Sequence, residues 1–130
     1  YGPEGLRRLA QHDWALLAKR VDRPERFGVL QLRANGMVER MVEKPTDFVS
    51  DLAWIGAASL QPDFLAVETP LSPRGEYEVP DMVNLLIGQG VPFRAEQTEL
   101  WLPVNTEEEI AAAERALTEA WVARSSRADK

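Results

Sequence analysis

The run Phe27-Gly28-Val29-Leu30-Gln31-Leu32-Arg33-Ala34-Asn35-Gly36-Met37-Val38-Glu39-Arg40-Met41-Val42-Glu43-Lys44-Pro45 sets two apolar-rich segments on either side of Asn35-Gly36. Asparagine and glycine both tolerate positive φ, so the pair favours the two-residue type I′ turn whose twist matches that of strands. The pattern predicts a hairpin with arms Phe27–Arg33 and Val38–Glu43 and with Ala34 facing Met37. That register places Val29 opposite Val42, Leu30 opposite Met41 and Gln31 opposite Arg40, like against like and polar against polar. It also brings Gly28 beside Glu43, with Lys44 next to them at the open end. A residue without a side chain beside a carboxylate and an ammonium is a place where a ligand can approach the backbone. The plainer reading stands beside it: Gly28 relieves a bend, and Glu43 and Lys44 are solvated.

Outward from the hairpin, the chain alternates helical and extended signals. Pro3-Glu4-Gly5 opens a short helix with Leu6, Leu9 and Ala10, its proline and glutamate suited to the free N–H groups of a first turn. His12 near its end reads as a solvated or capping side chain. Trp14–Ala18 reads as a buried strand stopped by Asp22-Arg23-Pro24. Leu52–Leu60 suits a central strand, and Gln61-Pro62-Asp63 starts a short helix containing Phe64, Leu65 and Val67. Residues 70–76 form a loop. Pro80 then opens a helix with Met82, Val83, Leu85 and Leu86 on its apolar side, stopped by Gly88 and Gly90. Val91–Ala95 and Leu100–Leu102 read as short strands. In the last helix Thr106 and Glu109 make a capping box, which accounts for the acidic run Glu107-Glu108-Glu109. Ile110, Ala113, Leu117, Ala120 and Trp121 fall on one face, expected to be core or subunit interface.

The 130 residues, 45% hydrophobic and 28% charged, suit one globular domain. No apolar run approaches the roughly 20 residues of a membrane span. With no cysteine and a single histidine, thiol catalysis, iron–sulfur ligation, zinc-finger sites and multi-histidine metal sites are excluded. A reducing, cytoplasmic location is expected. Fifteen basic against 21 acidic residues give a net charge of −6, which opposes binding to nucleic acid or to anionic membranes. The chain opens on Tyr1 rather than methionine and is expected to be a piece of something longer. Residues 125–130 are expected to fray.

Arg26-Phe27-Gly28-Val29, Val42-Glu43-Lys44-Pro45, Ser72-Pro73-Arg74-Gly75-Glu76-Tyr77-Glu78-Val79 and Trp101-Leu102, in that order and at those separations, resemble the C-terminal half of sugar-1-phosphate nucleotidyltransferases such as glucose-1-phosphate thymidylyl- and uridylyltransferases. The resemblance covers nearly the whole chain. It implies an α/β chain with a partial Rossmann-like nucleotidyltransferase fold: a mixed sheet with flanking helices, without the N-terminal nucleotide-binding segment. Residues 1–124 would form the sugar-phosphate-binding part.

The resemblance implies roles for four residues. Gly28 would let the sugar lie against the strand, Glu43 would hold sugar hydroxyls, and Lys44 and Arg74 would pair with the phosphate of a sugar 1-phosphate. Such groups supply charge-assisted hydrogen bonds. It implies departures as well. No glycine-rich nucleotide loop is found, since Gly2-Pro3-Glu4-Gly5 has no lysine or arginine at a phosphate-loop spacing. A metal-binding aspartate of the family would fall at Pro103, which offers no side-chain oxygen, so no metal ligand is assigned in this chain and Mg2+ is expected only for a complete family enzyme. The strand Trp54-Ile55-Gly56-Ala57-Ala58 keeps the glycine but has Ile55 and Ala58 where the family has a threonine and a tyrosine. Glu76 and Glu78 read as scaffold leading to Asp81. Two functional readings follow. One is a nucleotidyltransferase fragment that transfers no nucleotide by itself, so that no catalytic residue is assigned. The other is a noncatalytic sugar-phosphate-binding or regulatory module. A homo-oligomer is expected in either case, through Trp121 and the last helix.

Overall fold

The computed structural model describes residues 1–128, with side chains through residue 120. The elements are α1 (Pro3–Leu9), β1 (Ala15–Arg20), β2 (Gly28–Leu32), β3 (Val38–Glu43), β4 (Leu52–Ser59), α2 (Val79–Gly88), β5 (Arg94–Gln97) and α3 (Glu107–Ala128), with 3-10 turns at Pro24–Arg26 and Pro62–Ala66. They divide into two compact units, Tyr1–Leu100 and Trp101–Lys130.

The first unit is built on a five-stranded sheet in the order β3-β2-β4-β1-β5. β1 and β5 run parallel, and the other neighbours are antiparallel. The expected mixed sheet with flanking helices is therefore present. The run Ala15–Ala18 is wholly buried because both faces of β1 are covered. On one face Leu16 and Ala18 join Leu30, Met41, Leu52 and Phe93 under Val83 and Leu86 of α2. On the other, α1 comes so close that a Cβ on Gly5 would lie 3.0 Å from Thr98 Cβ and 3.3 Å from Leu17 Cδ1. Each large apolar side chain so buried contributes about 1.5–3 kcal/mol.

The hairpin keeps its deep register and changes at the turn. Gly28 faces Glu43, Val29 faces Val42, Leu30 faces Met41 and Gln31 faces Arg40, as expected. The Arg40 guanidinium donates through Nε to Gln31 Oε1 at 2.7 Å. Nearer the tip Leu32 pairs with Val38, so Glu39 is left over as a bulge. The turn is correspondingly one residue longer than type I′. Gly36 N–H donates to Arg33 O at 2.9 Å and Arg33 N–H to Met37 O at 2.8 Å. Gly36 carries φ +81° while Asn35 stays out of the left-handed region. Asn35 instead uses its side chain, whose Oδ1 accepts from Met37 N–H at 3.0 Å. A three-residue loop with a closing left-handed glycine competes with type I′ for the same Asn-Gly pair, and the bulge restores the register.

Two further expectations are corrected. The strand expected at Val91–Ala95 begins only at Arg94 and runs to Gln97, alongside Ala15–Ala18 of β1. Val91 belongs instead to the helix stop, its N–H donating to Leu86 O at 3.0 Å beside Gly90 at φ +92°. Leu100–Leu102 is not a strand. Leu100 accepts from Gly2 N–H at 2.9 Å and donates to Thr98 Oγ1 at 3.3 Å, which uses its polar groups without a ladder. Pro62–Ala66 is a 3-10 turn that buries Phe64 and leaves Leu65 exposed.

In the second unit Thr106 Oγ1 accepts from Glu109 N–H at 3.2 Å, and Glu109 Oε2 accepts from Asn105 N–H at 2.7 Å, a capping box displaced by one residue. On the expected apolar face Ala113 is buried, but Ile110 and Leu117 are 46% and 58% exposed. α3 continues through Ser125–Ala128, where composition predicted loose chain, while Asp129 and Lys130 and the Trp121 side chain lie outside the described residues. Among the described residues no helix is long and apolar enough to cross a membrane.

Candidate functional site

At the open end of the hairpin, Gly28 begins β2 directly opposite Glu43, the last residue of β3. A Cβ on Gly28 would lie 2.8 Å from Glu43 Oε2 and 2.9 Å from Met41 Cε. The missing side chain therefore makes room for the Glu43 carboxylate, which folds across the strand. Lys44 N–H donates to Phe27 O at 2.9 Å and closes the hairpin. Lys44 does so at φ +42°, a left-handed conformation that a lysine rarely adopts and that is disfavoured before a proline.

Arg74 arrives on the loop before α2. Ser72 O accepts from Gly75 N–H at 2.8 Å, Gly75 takes φ +77°, and Ser72 N–H donates to Glu76 O at 2.9 Å, so the loop closes on itself. Arg74 Nε donates to Glu78 Oε1 at 2.9 Å and Nη2 to Glu78 Oε2 at 2.7 Å, and Ser72 Oγ donates to Glu78 Oε1 at 2.9 Å. The hydrogen bonds from Arg74, then those from Ser72 and the Lys44 charge, hold the Glu78 carboxyl below its ordinary range. Glu78 in turn raises the Arg74 guanidinium, with Glu43 and Glu76 adding to its field.

These residues meet in a cavity of about 300 Å³ lined by Glu43, Lys44, Arg74, Glu76 and Glu78, with Trp54, Val79 and Pro80 as its apolar wall. That volume suits a small polar ligand. Trp54 is fixed there by its Nε1–H, which donates to Ala57 O at 2.9 Å. Of the four residues read from sequence, Glu43, Lys44 and Arg74 line the cavity, and Gly28 acts beneath it by seating Glu43. Sequence reading missed Trp54, Glu76 and Glu78. The spacing of Arg74 and Glu78 is an ion-pair signal on a helix, but this segment is a loop, so the pairing comes from the turn. Ile55 is buried and Ala58 packs against the core, and neither side chain carries a hydroxyl.

Other polar groups fall elsewhere. His12 Nε2 lies 2.8 Å from Glu96 Oε1, while Glu96 Oε2 accepts from Arg8 Nε at 3.2 Å, a pairing that the helix-end reading did not foresee. A second cavity of about 400 Å³, between the Pro62–Ala66 turn and α2, is lined by Trp14, Val67, Leu85 and Val91 with Asp63 and Glu68, and its lining holds no cation for a phosphate.

The family model for nucleotidyl transferase matches residues 7–120. The chain belongs to this family. It is 37% identical over 90 residues to a glucose-1-phosphate thymidylyltransferase of Streptomyces griseus, a match that covers 68% of this chain and 25% of the relative. It is 31% identical over 112 residues to the UTP–glucose-1-phosphate uridylyltransferase AglF of Haloferax volcanii, covering 82% of this chain and 46% of that one. A Bacillus anthracis structure described as a glucose-1-phosphate thymidylyltransferase in complex with a sucrose superposes with a TM-score of 0.64 at 24% identity, over 87% of this chain and 46% of that one. The fold is thus the partial Rossmann-like fold of a nucleotidyltransferase, and the family is of the sugar-1-phosphate type. The chain spans between a quarter and a half of the length of these curated relatives.

Pro103 stands where the resemblance calls for an aspartate, and in the cavity Glu78 is already engaged by Arg74. Among the described residues no three acidic or histidine side chains converge on one point.

Proposed function

We propose that the Tyr1–Leu100 unit binds the sugar 1-phosphate of a nucleotidyl transfer reaction, in which a nucleoside triphosphate gives a nucleotide sugar and pyrophosphate. The observation that carries this reading is the meeting of Glu43, Lys44 and Arg74 in one cavity of sugar size. A carboxylate accepts from sugar hydroxyls, and an ammonium and a guanidinium hold a phosphate and its charge. Trp54 and Pro80 provide the flat apolar surface against which a sugar ring excludes water. The transfer itself needs groups that bind and polarise the triphosphate, and the residues of this cavity do not include them. The isolated chain is therefore expected to bind glucose 1-phosphate and to release no pyrophosphate. Calorimetric titration with glucose 1-phosphate tests the first point, with Lys44→Ala expected to abolish the heat. Magnesium-dependent pyrophosphate release by the 130-residue chain would overturn the second.

Pro103 and the hydroxyl-free positions Ile55 and Ala58 favour a second reading, a noncatalytic sugar-phosphate-binding or regulatory module of the cytoplasm. Normal turnover by the whole gene product would exclude it. Under either reading the protein is proposed to act as a homo-oligomer, and a strict monomer in light scattering at high concentration would refute that.

A further inference from the structure

The Arg74–Glu78 pair engages one side of the guanidinium and leaves the other open. An arginine has five N–H donors, one on Nε and two on each Nη, arranged in a rigid plane. Glu78 takes the Nε–Nη2 side, at 2.9 and 2.7 Å. The Nη1 group and the outer N–H of Nη2 form the second edge of the fork and have no acceptor among the described residues. Glu78 is itself fixed. Its side chain is only 11% exposed where that of Arg74 is 45% exposed, and Ser72 Oγ donates to Oε1 at 2.9 Å. Ser72 is anchored in turn, its Oγ lying within 3.3 Å of Arg74 N and 3.4 Å of Glu76 N.

Resting on the sugar-phosphate reading above, we infer that Glu78 is a positioning residue, which holds Arg74 from the side so that the free edge of its guanidinium is presented to the phosphate. A competing role is equally concrete in its consequences. Were Glu78 a stand-in that a phosphate must displace, removing its charge would tighten phosphate binding. The geometry favours positioning, because the engaged donors are the side pair and a second, coplanar pair stays open for bidentate contact. Long side chains lose several rotamers on binding, and a guanidinium already held gives up less freedom when it grips a ligand.

The test has two arms. In the free 130-residue protein, NMR should show the Arg74 Nε–H shifted downfield and slow to exchange, and Glu78→Gln should shift it back and speed its exchange. An Arg74 Nε–H that exchanges like any exposed arginine in the unsubstituted protein overturns the inference. In the second arm glucose 1-phosphate is titrated calorimetrically. Glu78→Gln should weaken binding about tenfold, the scale of one charge-assisted hydrogen bond. Ser72→Ala, a milder change should Glu78→Gln fail to fold, should weaken it less and in the same direction. Arg74→Lys cannot be held by two parallel bonds, so in that background Glu78→Gln should cost nothing further. Binding that is equal or tighter in Glu78→Gln, or a loss that persists in the Arg74→Lys background, overturns the inference while leaving the sugar-phosphate reading intact. An unsubstituted protein that binds no glucose 1-phosphate overturns both.

Discussion

Lys44 sits at φ +42° immediately before Pro45, where a glycine would cost nothing and a lysine costs about 1 kcal/mol. A strained residue persists where its side chain is needed, and this one carries a cation into the cavity. Lys44→Gly should therefore leave the protein as stable or more stable by about 1 kcal/mol in urea denaturation, while glucose 1-phosphate binding is lost. A loss of stability would mean that lysine is there for the fold. Gly28 makes the complementary case. The atoms that a new Cβ would displace, Glu43 Oε2 and Met41 Cε, are ends of flexible side chains. Gly28→Ala should cost at most about 1 kcal/mol of stability yet weaken glucose 1-phosphate binding about tenfold, because the carboxylate is pushed from its seat. An alanine variant with unchanged affinity would show that the seat of Glu43 is immaterial.

At the scale of elements, β3 is an edge strand, and α2 protects it with one residue. Asn84 Oδ1 accepts from Met41 N–H at 2.8 Å and Asn84 Nδ2 donates to Met41 O at 2.7 Å. The amide so imitates a neighbouring strand at Met41, and nearer the hairpin tip Val38 N–H donates to Phe93 O at 2.9 Å, so these edge groups are not open to another chain. Asn84→Ala strands two polar groups of a buried residue and should cost about 2–4 kcal/mol in denaturant unfolding. Asn84→Asp, which keeps the acceptor and loses the donor, should be intermediate or worse. The loop before α2 gives a pH dependence. Glu78 has its carboxyl lowered in the folded state, chiefly by the Arg74 hydrogen bonds. Its contribution is thus complete above the ordinary carboxylate range and is lost as pH falls through the lowered value. The difference in thermal midpoint between the unsubstituted protein and Glu78→Gln should be largest near neutrality and vanish in acid. A difference that persists in acid would assign the stabilisation to packing.

These elements also show what a sequence discloses. The pairing of Gly28 with Glu43 was legible because like residues match across the strands from Gln31 and Arg40 inward, although the Ala34–Met37 match assumed at the turn is not made and the bulge at Glu39 offsets it. The turn was not, since Asn-Gly serves two loop lengths and the bulge at Glu39 hides the difference from the strands. Arg74 could be assigned a phosphate, but its hold by Glu78 was not foreseen. It depends on a loop closed by Ser72 and Gly75, and no periodicity describes such a loop. Trp54 was visible as a strand residue, whereas its place in the cavity wall beside Val79 and Pro80 follows from the tertiary fold.

For the whole molecule, a net charge of −6 repels a phosphate at long range, so any affinity must come from Lys44 and Arg74 at contact distance. Both cations, like every residue lining the cavity, lie between Glu43 and Pro80. The main apolar cluster is equally local, running from Leu16 to Phe93, with Leu9 and Ala113 buried outside it. The second unit, by contrast, leaves Ile110 and Leu117 about half exposed on its helix. Fold and pocket should therefore survive without it. A chain ending at Leu100 is expected to unfold in urea in one cooperative step, and to bind glucose 1-phosphate with a Kd within about threefold of that of the full chain, a difference of roughly 0.6 kcal/mol. Gradual unfolding with exposed apolar surface, read by dye binding, would show that the core is not closed by residues 1–100. Cooperative unfolding with lost affinity would instead move part of the site into residues 101–130.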